Sequence, residues 1–263
     1  YHPTAWIGKL IASLVPFTKS NSVRKELIGG ILLVSVIVVT VCTVLVVLDI
    51  GISLLTIDIV SLIVSIAVGS ILLKTTIAIR GMQKHALAVV DAVEKGDLGS
   101  ARNHLSMIVK RDTKNLDKNH ILSGVLESVS ENTVDGITGP LFYYAIFGLP
   151  GAFVYRAINT VDSMVGYKTT LFKNVGWFGA KCDTVLNYAP SRLTGLVMIL
   201  GALILGYNWK ESLYIMRRDS RKLESSNAGF PMAALAGALG TRLEKMNCYT
   251  IGNGSIEFTK SHI

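Results

Sequence analysis

Residues 27–48 read LIGGILLVSVIVVTVCTVLVVL, 22 residues without a charge. As a helix this run spans about 33 Å, enough to cross a hydrocarbon core of about 30 Å. It therefore predicts a transmembrane helix and sets the class of the whole chain. The run is too long for a cleaved secretory segment, and no small-residue cleavage site follows before the next apolar run. That next run, 50–73, is interrupted only by Asp58. Asp49 and Gly51 predict the turn between the two spans. Asp58 would then lie about 13 Å of helix rise past the turn, inside the bilayer. An aspartate there is costly, so Asp58 is read as near an interface, paired or functional.

Composition agrees with a membrane class. The 263 residues are 50% hydrophobic and only 17% charged, with a mean hydropathy of +0.48. Soluble domains carry about a quarter charged residues. Disorder is excluded, because it needs a polar, highly charged chain. Three cysteines make no disulfide framework; Cys42, Cys182 and Cys248 have no metal-ligand spacing and read as reduced, structural thiols. The net charge of +8 admits nucleic acid, anionic headgroups or an anionic substrate as partners. Nucleic acid drops out for want of a basic patch studded with aromatics.

Working outward, two weaker spans follow. Residues 136–155 are uncharged but contain Pro140 and the Gly148-Leu149-Pro150-Gly151 break. In lipid that break would leave backbone groups unpaired, so a broken or re-entrant helix fits better than a plain span. Residues 193–209 are uncharged, flanked by Arg192 and Lys210, and end in interfacial Tyr207 and Trp209, which predicts a crossing helix. In 228–241, Ala233, Gly237 and Thr241 recur every fourth residue, so another backbone can approach closely. Residues 74–118 hold nine Lys and Arg against five acids, placing the 74–135 region in the cytoplasm by the positive-inside rule. If 136–155 crosses, 156–192 faces outward; if it is re-entrant, the basic 210–224 does. Within 74–135, Ala86, Val89, Val90 and Val93, then a Gly96 stop, an Asp97 cap, and Ala101, Leu105, Ile108 and Val109 predict a small helical hairpin. No alternating strand pattern appears. The expected fold is an all-α, polytopic integral membrane protein forming a single domain over 1–263.

Three constellations carry chemistry. In 120–136, HILSGVLESVSENTVDG, helical spacing stacks Glu127, Glu131 and Asp135 on one face. Like charges four apart repel, so this face wants a cation, and oxygen ligands favour Mg²⁺. The plainer alternative is the solvated face of an amphipathic helix. In 156–168, Asn159, Thr160, Asp162 and Ser163, beside Arg156 and Lys168, suit a phosphate with its metal ion, unless Asp162 or Ser163 is merely an N-cap. In 181–194, Asp183 and Asn187 share a helical face that Pro190 ends, with Arg192 as a snorkelling flank or a ligand. Other signatures are missing. There is no phosphate-binding G-x-x-x-x-G-K-[ST] loop and no G-x-S-x-G. A phosphatidyltransferase reading fails because nothing in its pattern follows Asp135-Gly136.

The motifs taken together, and in order, resemble the adenosylcobinamide-phosphate synthase family (CobD/CbiB) of cobalamin biosynthesis. They are His2-Pro3 with Trp6 and Gly8, His85-Ala86, Gly96-Asp97-Leu98, Ala101-Arg102, and Arg111-Asp112-Thr113. Glu127-Ser128, Glu131-Asn132, Asp135-Gly136, Pro140-Leu141-Phe142 and 159–167 (NTVDSMVGY) follow, then Asp183, Asn187, Pro190, Arg192-Leu193, 226–229 (SNAG) and 236–239 (AGAL). The sequence departs from that pattern in lacking a Gly-Asp-Pro stretch before His2, which suggests truncation. It also departs at Thr184, at Ser225, at Glu244-Lys245 and in having no terminal apolar helix.

The resemblance implies a multi-pass cell-membrane enzyme. Its expected reaction joins a carboxylate of adenosylcobyric acid to the amine of (R)-1-aminopropan-2-ol or its O-phosphate, with ATP as co-substrate and Mg²⁺. Such a ligation needs an activated carboxylate, an ion held by carboxylates and cations for phosphates. Under this reading Glu127, Glu131, Asp135 and Asp183 are the metal set, and Glu127, Asn132, Asp135 and Asp162 are catalytic. His2, Arg111, Asp112, Thr113, Asn159, Thr160, Ser163, Lys168, Asn187, Arg192 and Asn227 bind substrates. A cytoplasmic site requires 120–135, 159–168 and 181–192 to converge. Besides the lipid bilayer, expected partners are other late cobalamin-pathway membrane enzymes or a second copy of the chain. The rival reading is a non-catalytic scaffold or transporter for corrinoids.

Overall fold

The computed structural model describes residues 2–54, 58–167 and 169–256. These fall into two compact units, one of Tyr1–Ile77 with Gly139–Asn187 and one of Ala78–Thr138 with Tyr188–Ile263.

The first unit opens with α1 (Pro3–Thr18) and α2 (Val23–Ser53). Only one side of α2 is buried, through Gly30, Leu33, Val34, Ile37, Val41 and Leu45. The opposite side leaves Leu32, Val39, Val44 and Val47 more than half exposed, a continuous apolar face suited to lipid. α2 does not stop at Asp49 and Gly51 as expected. It runs four residues past Asp49, because in an apolar setting the backbone must satisfy its own hydrogen bonds. Asp58 is consequently the first residue of α3 (Asp58–Thr76). It is not deep within a span, and there its charge complements the helix dipole. Residues 55–57, between the two helices, lie outside the described residues.

The broken helix of 136–155 is a reversal. α7 (Gly139–Val165) is interrupted at Gly148, with φ 63° and ψ −154°, a conformation open essentially only to glycine. In an unbroken helix Tyr143 and Tyr155 would stand about 18 Å apart. Their rings instead stack at 5.3 Å, and a Cβ on Gly151 would collide with the Tyr143 carbonyl. Residues 139–147 therefore double back along 151–159. Asp162 and Ser163 lie inside α7, so neither is an N-cap. α8 (Trp177–Leu186) packs against α7 and α2.

The second unit begins with α4 (Ile79–Glu94) and α5 (Leu98–Ser106), which pack together across a three-residue link. Gly96 takes φ 76°, and Asp97 accepts the Ser100 N–H at 2.9 Å, as the sequence predicts. α6 (Lys118–Thr133), capped by Asp117, packs on both and ends in a π-helical turn, Val134–Thr138. The expected span at 193–209 is displaced: α9 is Tyr188–Ile204. Pro190 is tolerated in its first turn, and Gly206, at φ 77°, separates Tyr207 and Trp209 from the helix. Asn208 then caps α10 (Trp209–Asp219). α11 (Ser226–Leu239) packs on α9 and α10, and Gly237 admits the backbone of Glu211 and Ser212, the close approach its small-residue spacing predicts. A hairpin of β1 (Arg242–Lys245) and β2 (Tyr249–Gly252), missed in the sequence, pairs Leu243 with Ile251, both fully buried.

Replacing Gly148 by alanine forces a Cβ into a glycine-only conformation and costs about 1–3 kcal/mol. The melting temperature of the purified protein in detergent should fall. Gly69→Ala, where a Cβ meets nothing within 4 Å, should leave it unchanged or raise it.

Candidate functional site

In the second unit the carboxylates of α6 meet unequal surroundings. Glu127 is mostly buried and ion-paired, with Arg111 Nη2 at 3.3 Å and Lys245 Nζ at 3.9 Å. The Arg111 guanidinium lies over Gly124, where a Cβ would collide with it, and donates to the His120 carbonyl at 3.3 Å. The Glu127 Oε2 makes no well-aligned hydrogen bond, and neither does the nearby Tyr249 hydroxyl. Burial, then the Glu127 charge, push the Tyr249 phenol up so that it stays protonated.

Glu131, one turn further on, is accessible to water yet set amid enough protein to disfavour its charge. That desolvation, then the like charges of Glu127 and Asp135, push its carboxyl up to about 7, while Lys110 and Lys245 pull it down. Asp135 sits in the π-helical turn. Asn132 donates to the Ser128 carbonyl at 2.8 Å and hydroxyl at 3.2 Å. Among the described residues no three His, Cys, Asp or Glu side chains form a ready-made metal cage. Mg²⁺ commonly takes one or two carboxylates and completes its shell with water and phosphate, so a site centred on Glu131 fits that ion.

Two expected ligands are tied to their own loop. Thr113 is buried and donates to the Arg102 carbonyl at 3.1 Å. Asp112 accepts the Lys114 N–H at 3.0 Å. Arg192 is no snorkelling flank. Its guanidinium lies 3.5 Å from the Tyr188 ring centroid and 4.4 Å from that of Phe230, and it donates to the Tyr188 carbonyl at 2.6 Å and to Asn227 Oδ1 at 3.4 Å.

The first unit gathers a second polar group where α7 meets α8. Asp183 Oδ1 accepts from Asn159 at 3.2 Å, and its Oδ2 accepts from Asn187 at 3.0 Å. Arg156 donates to Asn159 Oδ1 at 3.3 Å, and the buried Tyr155 hydroxyl donates to Asn187 Oδ1 at 2.6 Å. Thr160 and Ser163 donate back to the Arg156 and Thr160 carbonyls. His2 is exposed at the start of α1. Lys168 lies outside the described residues. Tyr155, Tyr249, Lys110 and Lys245 were missed as neighbours of these groups, since Tyr249 and Lys245 are remote in sequence from α6.

Among the described residues three helical stretches are long and apolar enough to cross a membrane, one of them reversed at Gly148, with a further short apolar helix at Tyr188–Ile204. Together with an acid-rich helix on a polar segment, they define a multi-pass helical membrane protein. Residues 1–261 match the family described as CobD/Cbib protein. The "Probable cobalamin biosynthesis protein CobD" of Methanothermobacter thermautotrophicus is 40% identical over 96% of this chain and 80% of its own length. Its namesake in Methanocaldococcus jannaschii is 39% identical over 99% and 84%, and the "Cobalamin biosynthesis protein CobD" of Leptospira interrogans 42% over 95% and 77%. The chain belongs to the CobD/CbiB family, which supports a role in cobalamin biosynthesis. No solved structure matches it.

The raised Glu131 carboxyl makes stability fall with pH. The folded state holds this proton more tightly than the unfolded chain, whose carboxyl keeps its ordinary value near 4.5. The stabilisation is complete below that value and is lost as pH rises through about 7. Melting temperatures taken without divalent cations should show this decline, and Glu131→Gln should flatten it.

Proposed function

We propose that this chain is an acid–amine ligase of cobalamin biosynthesis. It would join adenosylcobyric acid to (R)-1-aminopropan-2-ol, or to its O-phosphate, at the expense of ATP. The observation that carries this reading is the carboxylate face of α6, with Glu131 raised to about 7 by burial and like charge, in a chain of the CobD/CbiB family. A crowded set of acids held only partly by cations is an arrangement that an incoming divalent ion relieves.

The chemistry follows from the substrates. A carboxylate resists attack by an amine until one of its oxygens becomes a leaving group. Transfer of a phosphoryl group from ATP supplies that, giving an acyl phosphate and ADP. The amine nitrogen then bonds to the acyl carbon. The carbon–oxygen bond breaks with its electron pair going to phosphate, and the nitrogen gives up a proton. Bound Mg²⁺ would supply charge neutralisation on the phosphates. Glu131 and Asp135 would hold the ion, and Glu127, fixed by Arg111 and Lys245, would set the position of that face. Arg192, clamped between two rings, is a preoriented cation for an anionic group. In the first unit Asn159 and Asn187 would offer their amides to the corrinoid, with Asp162 and Asp183 ordering that region; in the second, Asn227 would orient Arg192. The use of ATP puts the site on the cytoplasmic side, in keeping with the basic 74–118 segment. The reversal at Gly148 then reads as a re-entrant segment.

Incubating the full chain in lipid nanodiscs with adenosylcobyric acid, the amine, Mg²⁺ and ATP should yield the amide together with ADP. Glu131→Ala should lower turnover about 10²-fold, in line with loss of one preorganised electrostatic contact, and Glu127→Ala should do likewise. Full turnover by a folded Glu127→Ala protein would remove that residue from the site. Corrinoid binding without any product would favour the scaffold reading.

A further inference from the structure

Beside the carboxylate face, the second unit has an open pocket of about 310 Å³ between α4, the end of α5 and α6. Met82, Met107 and Ile108 make one part of its wall apolar, and His85, Ser128 and Asn132 make another part polar. Ser128 spends its hydroxyl proton on the Ile108 carbonyl at 3.0 Å. Asn132 turns its Nδ2 back to Ser128, which leaves its Oδ1 as an acceptor on offer. His85 and Asn132 are exposed, and among the described residues the His85 ring has no hydrogen-bond partner.

The pocket's size decides which substrate it suits. Small-molecule sites run from about 300 to 1,000 Å³, so this one sits at the lower end. A three-carbon amino alcohol fits, whereas a corrin macrocycle does not. Its polar side offers acceptors, matching an ammonium and a hydroxyl, and its apolar side matches a short hydrocarbon skeleton. Asn132 follows Glu131 in sequence, so a molecule held here lies next to the acid-rich face of α6.

We propose that this pocket is the subsite for the short amino alcohol co-substrate. Asn132 Oδ1 and the His85 ring accept from its ammonium and hydroxyl groups, and Met82, Met107 and Ile108 cover its carbon chain. This rests on the ligase reading and adds where the smaller substrate sits.

Gly81 gives a clean test, because it lines the pocket and a Cβ there meets nothing within 4 Å. Gly81→Leu narrows the space while improving helix propensity. Exposed His85 can be changed to alanine without disturbing a core. The full chain in nanodiscs is titrated calorimetrically with (R)-1-aminopropan-2-ol and, separately, with its O-phosphate. Both variants should weaken binding at least tenfold. In the ligation assay they should raise KM for the amine by a similar factor and leave KM for adenosylcobyric acid and ATP unchanged. Tighter binding of the ester identifies the phosphorylated form as the ligand; equal binding identifies the free amine. Unchanged amine affinity in both variants, or a shift confined to the corrinoid KM, overturns the assignment. If the unaltered chain gives no ligation, the ligase reading fails, and the titration still decides the pocket. Amine binding that Gly81→Leu abolishes keeps it as an amine site, and no binding removes it.

Discussion

Hydrocarbon offers a backbone no hydrogen-bond partner, and each unpaired peptide group placed there costs several kcal/mol. That constraint shapes the first unit more than any single side-chain contact. It carries α2 through Asp49 and Gly51, two residues that would end a helix in water, and it turns Ser35 and Ser53 hydroxyls back onto the Ile31 and Ile50 carbonyls. It also dictates how a break is made. At Gly148 the chain cannot simply open, so it folds against itself. Tyr143 then reaches across to donate to the Leu186 carbonyl at 2.9 Å, one of the orphan acceptors at the end of α8.

Electrostatics organises the second unit, where two acids meet opposite surroundings. Asp219 is fully buried, yet Arg218 grips both its oxygens at 2.7 Å, Lys222 stands at 2.7 Å, and the Gly252 N–H donates at 2.9 Å. Burial alone would raise this carboxyl, but these partners overcome it and hold it well below the usual range. The result is a closed arrangement that ties the β-hairpin to the end of α10. Glu131 has the reverse environment, with acids as its nearest electrostatic neighbours and its proton held more tightly than in water. A fold gains nothing from such a grouping by itself, which is what supports the proposal that α6 carries a binding face.

Much of this was legible in the sequence, and the misses share a cause. The apolar run of α2, the Gly96-Asp97 link and the stacked carboxylates of α6 are set by composition and local spacing, so they could be read directly. The end of α2 could not, because Asp49 and Gly51 are turn formers only where water can take over the backbone bonds. The start of α9 was misplaced because Arg192 was read as a boundary; in fact it sits one turn inside the helix, sheltered by Tyr188 and Phe230. The hairpin's strands have four residues each, too short to display a period. Lys245 and Tyr249 reach Glu127 only because that hairpin docks on α6, through Ser123, whose hydroxyl donates to the Glu244 carbonyl and accepts its N–H. No local pattern encodes a pairing across 121 residues.

The polar group of the first unit is rigid, and its Tyr155, Asn159 and Asn187 are buried. Arg156, Asn159, Asp183, Asn187 and Tyr155 form a chain in which each link is a single hydrogen bond. Every amide in it both donates and accepts, so its orientation is fixed at both ends and cannot flip without breaking two bonds. A group prepared in this way meets an amide-bearing ligand with little further ordering of its side chains, so the entropy of orienting them is met on folding rather than on binding. On the proposed ligase reading, whose corrinoid substrate is rich in amide side chains, a network of fixed carboxamides would discriminate by geometry, where a flexible basic surface would answer only to charge.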